Sequence, residues 1–376
     1  TEGDAAPARR TGAIGWGSKQ GTFSDGRRLV QYNLPERRME IKCPGTGEGR
    51  RITFDYTSEG AGITSLVAGP DGRIYLSTCH PMHFVAYDAE CDRLEDWGPV
   101  PRVGEGNYCA MAVQGPYVFG AAYSGAWFYQ YDTRRPWNNE TGDDPNPRVV
   151  ARFEGDITRP RTCLAHPDGR HALMSGFAGY GMCGGGLGIY DLETGRASLI
   201  SHENVVPYQS TITLKALRNG DLIGGTSVNT PGGGHPQAEE GVLYVMDWAT
   251  REVVFQTAPV SGAPEVFSIE VGPDGLVYGL ATGSWFFVFD PATKKVVHHE
   301  DMSKYGGLPR YTLVNGPDGD LYAAFSKAIV RIEPGTFDHE RLATPPQPIT
   351  AGTVIHRRRL YFASQSHLCS YRLSLD

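Results

Sequence analysis

The sequence predicts an all-β fold, a seven-bladed β-propeller, on three observations. A turn-and-strand pattern recurs along the chain, with its turns about 40 to 55 residues apart, as in propeller blades. Each copy alternates apolar and polar residues, which predicts short strands. The chain of 376 residues is 40% hydrophobic, enough for a core, and contains no apolar run long enough to span a membrane.

The repeat begins with a tight glycine-containing turn followed by an alternating strand. Five copies are clear: GPDGRIYLST (69–78), HPDGRHALMS (166–175), RNGDLIGGTS (218–227), GPDGLVYGLA (272–281) and GPDGDLYAAF (316–325). Two others are QGPYVFGAAYS with WFYQYD (114–132) and RRRLYFASQS with LCSYRLSL (357–375). A further strand, a turn and a short last strand follow in most copies, so we expect seven four-stranded blades.

The last copy ends after its third strand. We expect RRITFDY (50–56), upstream of the first complete copy, to supply the missing strand and close the ring, which removes exposed strand edges. The prediction is a single domain over residues 1–376, with 1–49 as an N-terminal extension and closing segment. Cys43 and Cys369 would both fall in the closing blade, which makes them a candidate disulfide pair.

Charge and composition restrict the partners. The formal net charge is −7, which argues against nucleic acid. The seven cysteines lack the CxxC spacing of a zinc site, and their odd number leaves one thiol free. The chain begins at Thr1 without a signal peptide, and Asn139-Glu140-Thr141 is a glycosylation sequon in a polar loop. We expect a secreted, extracellular monomer with no membrane partner and a candidate glycan at Asn139.

Propeller geometry collects the candidate site residues on one face. Turns between the second and third strands of each blade, and links between blades, lie on the same face, here called the upper face, where loops are free to carry function. The cluster TCHPMH (78–83) places His80 and His83 there. The other upper-face candidates are Tyr108, Tyr123, Arg159, Arg161, Tyr180, Tyr208, His235, Arg310, Tyr311 and His367.

These side chains favour one reaction class. Glycoside hydrolysis normally needs two opposed carboxylates, and metal-dependent lactonases need several acids and amides around a cation; the upper-face turns offer neither set. Histidine, tyrosine and arginine suit β-elimination from a uronate. Arginine neutralises the carboxylate, and histidine or tyrosine removes the C5 proton. In D-glucuronate the C5 hydrogen and O4 lie on the same side of the C4–C5 bond, so elimination is syn. One residue can then take the C5 proton as base and protonate O4 as acid.

Several residues also have simpler interpretations. Arg159 and Arg161 can form ion pairs with Glu154 or Asp156. Cys109 and Cys163 fit small buried positions. We expect His166 and His356, on turns of the opposite face, to be solvated.

The blades, the TCHPMH turn, the TRPRT link (158–162) and the glycine-rich turns GYGMCGGGLGIYD and GGTSVNTPGGG together resemble a known family. They are similar to the seven-bladed propeller L-rhamnose-α-1,4-D-glucuronate lyases, secreted fungal enzymes that act on gum arabic. Ulvan lyases and a propeller α-L-rhamnosidase family, whose site lies on the opposite face around a single histidine, are more distant likenesses. Ulvan lyases carry a tyrosine shortly before the arginine, where this sequence has WNNETGDDPNP (137–147) without one.

The resemblance implies an exo-acting lyase that releases L-rhamnose from a rhamnose-capped, glucuronate-containing polysaccharide or oligosaccharide. His80 would be base and acid, Arg161 (or Arg159) would neutralise the carboxylate, and Tyr123 or Tyr180 would supply a phenol. The other upper-face candidates would bind substrate. No cofactor is needed for this chemistry, although such propellers can hold a cation, here a candidate structural calcium, in the axial channel. An ulvan-type lyase, a hydrolytic rhamnosidase and a non-catalytic carbohydrate- or protein-binding propeller remain alternatives.

We expect His80→Ala to lower turnover by at least about 10²-fold, because the base and acid of the elimination would be lost. The ultraviolet absorbance of the conjugated unsaturated uronate, followed during digestion of a rhamnose-capped glucuronate oligosaccharide, measures the effect. Turnover near that of the wild type would remove His80 from the mechanism.

Overall fold

The computed structural model describes residues 21–33, 37–55, 60–79, 82–99, 107–138 and 144–374, and the fold is all-β. These residues belong to two compact units, one up to Gly60 and the other from Ala61 onward. The predicted base His80 and the predicted glycosylation site Asn139 lie outside the described residues.

The first unit contains one antiparallel sheet of four consecutive strands. They are β1 (Gly21–Thr22), β2 (Arg28–Asn33), β3 (Arg38–Lys42) and β4 (Gly49–Thr53). The prediction that residues 50–56 complete the last blade is wrong for the described residues, because Arg50–Thr53 pair with β3 in this sheet and the last sheet consists of three other strands, all from residues 351–372. A short turn favours this local pairing: Cys43 N donates to Glu48 O at 3.0 Å, and loop-closure entropy is small for so few residues.

In the described residues, the second unit contains seven antiparallel sheets. The first three consist of β5 (Gly62–Ala68), β6 (Arg73–Cys79), β7 (His83–Asp88) and β8 (Arg93–Pro99); β9 (Tyr108–Gln114), β10 (Tyr117–Ala122), β11 (Trp127–Asp132) and β12 (Arg148–Arg152); and β13 (Arg159–Ala165), β14 (His171–Phe177), β15 (Leu187–Asp191) and β16 (Ala197–Ile200). The next two consist of β17 (Ser210–Ala216), β18 (Leu222–Ser227), β19 (Leu243–Met246) and β20 (Val253–Thr257); and β21 (Val266–Val271), β22 (Val277–Ala281), β23 (Trp285–Asp290) and β24 (Lys295–Asp301). The last two consist of β25 (Leu313–Asn315), β26 (Leu321–Phe325), β27 (Ala328–Ile332) and β28 (His339–Ala343); and the three strands β29 (Ala351–His356), β30 (Arg359–Ser364) and β31 (His367–Arg372).

Helix is scarce in this fold. In the part of the chain that the structure describes, the helical segments are two 3-10 turns, His202–Asn204 and Ser303–Tyr305. No helix of the described residues is long and apolar enough to cross a membrane.

The sheets of the second unit follow one another around a common centre. The first strand of each sheet contacts the first strand of the next, and β29 contacts β5, so that the succession returns to its start. All seven first strands line a central cavity of about 230 Å³. One residue from each illustrates this: Leu66, Met111, Cys163, Ile212, Ile269, Leu313 and Val354. The arrangement is β-propeller-like.

Apolar cores join the neighbouring sheets. Each consecutive pair of sheets encloses one buried cluster, for example Tyr75 and Phe84 of the first sheet against Tyr129 of the second. A further cluster joins the last sheet to the first, where Ala363 and its neighbours pack against Ile63 and theirs. Side chains of one strand therefore alternate between two clusters: along β22, Val277 and Ala281 join one cluster, and Tyr278 and Leu280 join the next.

The contact between the last and first sheets includes one backbone hydrogen bond. Ile63 N donates to Gln365 O at 2.8 Å, next to the apolar cluster. An ion pair between Arg357 and Glu90 joins the same two sheets. Packing between sheets therefore makes the junction for which we had predicted a shared strand.

The repeated GPDG turns have a shared structure. In the turn before β22, Gly272 N donates to Leu276 O at 2.8 Å, and Gly275 has a φ of +89°, which favours glycine. The Tyr278 hydroxyl donates to Asp274 Oδ2 at 2.6 Å, so the tyrosine ring lies over Gly272. The turns at 69–75 and 316–322 have the same glycine–tyrosine contact and the same tyrosine–aspartate hydrogen bond.

The turn at 166–172 differs from these three. The prediction that His166 is solvated is wrong. Its side chain is 2% exposed, hydrogen-bonds Gly220 O at 2.7 Å and stacks on Trp248 with a centroid distance of 4.0 Å. His356 is only partly buried. A histidine at the glycine position has a ring to bury, and Trp248 provides the surface for it.

The cysteines form no disulfide. All seven are free, including the candidate pair Cys43 and Cys369. Cys109 is buried and Cys163 partly buried, which agrees with the expectation of small, inward-facing side chains. Burial raises the pKa of both thiols above the ordinary value.

We expect Gly272→Ala to destabilise the second unit by about 1–3 kcal/mol, the usual cost of forced overpacking. A Cβ at this position would lie 2.5 Å from the Tyr278 ring. The midpoint of urea denaturation measures the loss. Gly62→Ala is the matched control, because a Cβ there meets nothing within 4 Å. Equal midpoints for the two variants would show that the ring contact does not constrain the turn.

Candidate active site

Strand direction brings the candidate residues to one edge of the sheets. First strands begin, and second strands end, at the upper face, because the two are antiparallel: Arg159 at the start of β13 pairs with Phe177 at the end of β14. Tyr123 follows β10, Tyr180 lies beyond β14, and Arg310 precedes β25. His80 directly follows β6 in the sequence, but it lies outside the described residues.

Arg161 and Arg310 lie at the central cavity. The Arg161 guanidinium is placed between two rings, 5.7 Å from the Phe177 centroid and 5.6 Å from that of Phe267. Burial and, secondly, the positive charge of Arg310 lower the pKa of Arg161. The charge of Glu265 acts in the opposite direction.

Within the described residues, neither Arg161 nor Arg310 has a direct counter-ion. Among the ion pairs of the described residues, none involves Arg161 or Arg310. Glu265 instead accepts a hydrogen bond from Ser227 Oγ at 2.7 Å. Two partly buried like charges raise each other's free energy, and a bound anion would relieve both. The pair is therefore suited to a carboxylate.

Tyr311 crosses the cavity beside these arginines. Its hydroxyl donates to the backbone oxygen of Cys109 and lies 3.2 Å from that of Arg161, so one side chain ties together the first strands of two sheets. Burial holds the pKa of Tyr311 well above the ordinary value. We had predicted that Tyr311 binds substrate, but its hydroxyl is occupied by the backbone. It positions Arg161.

Tyr123, Arg159 and Tyr180 form a second group, here called the tyrosine platform. The two hydroxyls are 3.1 Å apart. The Arg159 guanidinium lies 4.6 Å from the Tyr180 ring centroid and 5.5 Å from that of Tyr123, in the geometry of a cation–π contact. Arg159 Nη1 is buried and has no hydrogen-bond partner among the described residues.

The pKa shifts of the two phenols are opposite. The hydrogen bond from Tyr123 and, secondly, the charge of Arg159 lower the pKa of Tyr180. The same hydrogen bond and burial raise the pKa of Tyr123. These shifts fit Tyr123 as donor and Tyr180 as acceptor, so Tyr180 ionises more readily.

Glycines allow the loops around the platform to approach closely. Gly181 N donates to Gly232 O at 3.0 Å, which joins the Tyr180 loop to the NTPGGG turn. A Cβ on Gly232 would lie 2.8 Å from Gly179 O and 3.2 Å from Arg159 Nη1. The glycine-rich sequences therefore serve a close backbone approach over Arg159.

Several predicted binding residues do not join either group. Tyr108 is 2% exposed within the aromatic core, so it does not face a substrate, and its hydroxyl has no partner in the described residues. His83 hydrogen-bonds Asp96, with 2.9 Å from Nδ1 to Oδ2. Tyr208 is 46% exposed, and His235 and His367 are also exposed. The binding roles of these exposed residues stay predictions.

Sequence reasoning missed three features. Asp156 hydrogen-bonds His202, with 2.8 Å between Oδ1 and Nδ1, and Glu154 pairs with Arg152, so neither acid pairs with Arg159 or Arg161. Glu265 directly precedes the first strand of a sheet, as Arg310 nearly does. Because links before first strands lie on the upper face, the reasoning that found Arg310 would also have found Glu265. Phe177 and Phe267 carried no signal, because an aromatic residue in a strand normally indicates core.

The described residues contain no group of three or more histidines, cysteines or acids that could hold a metal ion. The described cavity wall has one carboxylate, Glu270, and Lys215 pairs with it at 2.5 Å. Calcium usually takes about six to eight oxygen ligands, carboxylates and carbonyls among them, and the candidate calcium of the axial channel stays a prediction.

In comparisons with known proteins, no family model matches the sequence, and no curated protein matches it. The chemistry of the upper face is therefore inferred from its side chains alone. This face offers two arginines that form no ion pair with any described residue, and a hydrogen-bonded pair of phenols of unequal acidity.

We expect Tyr123→Phe to raise the pKa of Tyr180 toward the ordinary value, because the hydrogen bond that stabilises the phenolate is lost. Arg159→Met should shift it in the same direction by removing a positive charge. Ultraviolet titration of tyrosinate absorbance measures both, with Tyr180→Phe identifying the Tyr180 signal. An unchanged titration in Tyr123→Phe would contradict the phenol pair.

Proposed function

We propose that residues 61–374 form a seven-bladed propeller that acts as a polysaccharide lyase on a terminal L-rhamnose-α-1,4-D-glucuronate linkage. The cyclic contacts of the first strands and the apolar cluster between the last and first sheets support the architecture. The observation that carries the function is the pair Arg161 and Arg310 at the central cavity, without an ion-pair partner in the described residues.

The proposed mechanism is a syn β-elimination. Arg161 and Arg310 bind the glucuronate carboxylate and stabilise the negative charge that develops on it when the C5 proton leaves. His80 takes that proton. The electron pair of the C5–H bond forms the C4=C5 double bond, the C4–O4 bond breaks, and O4 receives a proton as rhamnose is released.

The tyrosine platform supplies a second proton-transfer group close to this site. The hydroxyls of Tyr123 and Tyr180 are hydrogen-bonded, and the lowered pKa of Tyr180 makes it the phenol that ionises more readily to a phenolate, which can take a proton. Tyr123, our predicted catalytic phenol, would act by positioning Tyr180 and stabilising its phenolate. Secretion, a monomeric state and the glycan at Asn139 belong to this proposal as predictions.

The rival functions differ in their products. A hydrolytic rhamnosidase releases rhamnose without a double bond. Of the histidines on the opposite face, His166 is buried, whereas His171 and His356 are partly exposed. An ulvan-type lyase forms the double bond on another uronate-containing chain. A binding propeller leaves the carbohydrate unchanged.

We expect Arg161→Met and Arg310→Met each to lower kcat/KM by about 10²-fold or more, since each removes a donor to the developing charge. The assay follows unsaturated-uronate absorbance and free rhamnose on a rhamnose-capped glucuronate oligosaccharide. Arg152→Met is the control: it also removes a cation, but one paired with Glu154 and lying 4.5 Å from the Trp127 ring centroid.

Loss of the absorbance rise in both variants, but not in the control, supports elimination at this pair. Rhamnose released without any absorbance rise contradicts a lyase and indicates hydrolysis. A carbohydrate that is retained and recovered unchanged contradicts catalysis and indicates a binding protein.

A further inference from the structure

Among the described residues, the last sheet of the second unit has three strands, whereas the other six sheets have four. In those six sheets a fourth strand of four to seven residues pairs with the third strand. No described strand pairs with the outer side of β31, the third strand of the last sheet. An open strand edge presents backbone groups that can pair with another strand, so β31 is a candidate interaction surface.

The side chains of β31 are also less buried than those of the other third strands. Each of the other six has three or four buried residues, and β31 has none. Leu368 packs partly buried against the cluster that joins the last and first sheets. Cys369 and Tyr371 pack partly buried against the cluster shared with the sixth sheet. A strand paired with β31 would cover the exposed part of these side chains.

The hydrogen-bond pattern shows which backbone groups of β31 face outward. Leu373 N donates to Arg358 O at 2.9 Å, and no register shift interrupts the pairing of β30 with β31. Because bonded and non-bonded pairs alternate in an antiparallel ladder, the backbones of Cys369 and Tyr371 are bonded to β30. The residues between and beside them direct their N–H and C=O groups away from β30: Leu368, Ser370 and Arg372.

The last sheet is strongly basic at its lower end, which is the end opposite the upper face. Residues 351–374 contain four arginines and no aspartate or glutamate, although the whole chain has a formal net charge of −7. Arg359 begins β30 and lies directly opposite Arg372, which ends β31, so the two share one face of the sheet. Arg357 pairs with Glu90, but neither Arg359 nor Arg372 forms an ion pair with a described residue.

Two other sheets of this chain show what a fourth strand supplies. In the sixth sheet, Arg331 of β27 lies opposite Glu340 of β28 and pairs with it at 2.6 Å. In the first sheet, Arg73 begins β6 and lies 3.8 Å from Glu95 of β8. Arg359 has the position of Arg73, the first residue of a second strand. A strand that completed the last sheet in the same way would carry an acidic residue.

The last residue of β31 departs from the repeat in the same sense. Four other third strands end in aspartate. The carboxylate accepts a backbone N–H from the turn that leads to the fourth strand, as in Asp88, which accepts from Glu90 N at 2.8 Å. Arg372 stands at this position in β31. A cation replaces the anion at the place where an antiparallel fourth strand begins, so a strand that binds here needs an acid near its own N-terminus.

We propose that the open edge of β31 binds an extended acidic peptide segment of another protein, which adds to the last sheet as an antiparallel fourth strand. Its acidic side chains near the N-terminal end pair with Arg359 and Arg372. Its alternate side chains are apolar and cover Cys369 and Tyr371, because successive side chains of a strand point to opposite faces. A second copy of this chain would bring its own arginines to the edge, and the like charges would repel. The inference does not depend on the lyase activity.

Amide-resolved hydrogen exchange of the full chain tests whether the edge is open. In the free protein we expect fast exchange at the outward residues Leu368, Ser370 and Arg372. Exchange should be slower at Cys369 and Tyr371, whose N–H groups are bonded to β30. Slow exchange at all five residues would mean that the edge is already paired, by a second copy or by another part of this chain, and would overturn the proposal.

A synthetic peptide, Glu-Val-Glu-Val-Thr-Val with blocked ends, is the binding probe. It should bind the full chain in calorimetric titration and slow the exchange of the three outward residues. The matched peptide Gln-Val-Gln-Val-Thr-Val should bind about fivefold more weakly, which corresponds to about 1 kcal/mol and to two exposed ion pairs. Equal affinity for the two peptides would contradict an acidic partner, and absence of binding would overturn the proposal.

Ser370→Pro tests the strand pairing itself. It removes one outward N–H and no bond to β30, a place where edge strands tolerate proline. The affinity for the acidic peptide should fall more than tenfold, while the midpoint of urea denaturation stays near that of the wild type. Ser370→Ala is the matched control, because it keeps the N–H and loses only the hydroxyl that accepts from Arg359 Nε at 3.1 Å.

The double variant Arg359→Met with Arg372→Met tests the charge without a change in the backbone. It should bind the acidic peptide no better than the glutamine peptide. Arg196→Met is the control: Arg196 is also exposed, but it precedes β16 in a sheet that already has four strands. Unchanged affinity in both the proline and the double arginine variants would overturn the proposal. An equal loss in Arg196→Met would also overturn it, since the attraction would then be unspecific.

Discussion

The apolar contact between the last and first sheets of the second unit is the constraint on which the rest depends. Ile63 and Leu76 of the first sheet pack with Ala351 and Ala363 of the last, and without this contact the first strands would not surround a cavity. Burial of each methylene contributes about 0.8 kcal/mol, so a cluster of this kind can hold the junction without a shared strand. Every upper-face residue takes its position from that closure.

A rigid frame of this kind makes an energetically costly site possible. Arg161 and Arg310 would separate if their strands could move apart, because like charges repel and burial disfavours both. Tyr311 opposes this by tying the backbone at Arg161 to that at Cys109. An anion that binds between the two cations relieves their repulsion. The free energy spent in holding them together therefore favours anion binding, as in other preorganised sites.

The sequence was enough to predict the repeated strands and which loops share the upper face. It was not enough to predict contacts between turns that lie far apart in the sequence. Period-two patterns and GPDG turns predict the strands, because both are local. The pairing of β4 with β3 could not be separated from pairing with the last sheet, because a short strand pattern does not specify the partner strand, and four of the five β4 residues are exposed. Regular alternation would place Arg159 and Arg161 on the same face of β13 and did not predict that they would join different groups. The shift of register between Pro160 and Thr162 and the loop at Gly232 decide that. Tyr108 was assigned to the surface because it follows a link, whereas the aromatic core of two sheets encloses it.

The glycine beneath each tyrosine has a consequence for how this chain can vary. Gly272 has no side chain because the Tyr278 ring occupies that space. In the fourth sheet, Leu217 stands at the corresponding turn position and Ile223 at the corresponding strand position, and both are buried. Both arrangements fill the same volume. One combines a glycine in the turn with a tyrosine in the strand, and the other combines a leucine in the turn with an isoleucine in the strand. A change from one arrangement to the other requires both positions to change together, so related sequences should show these two positions changing as a pair and seldom singly.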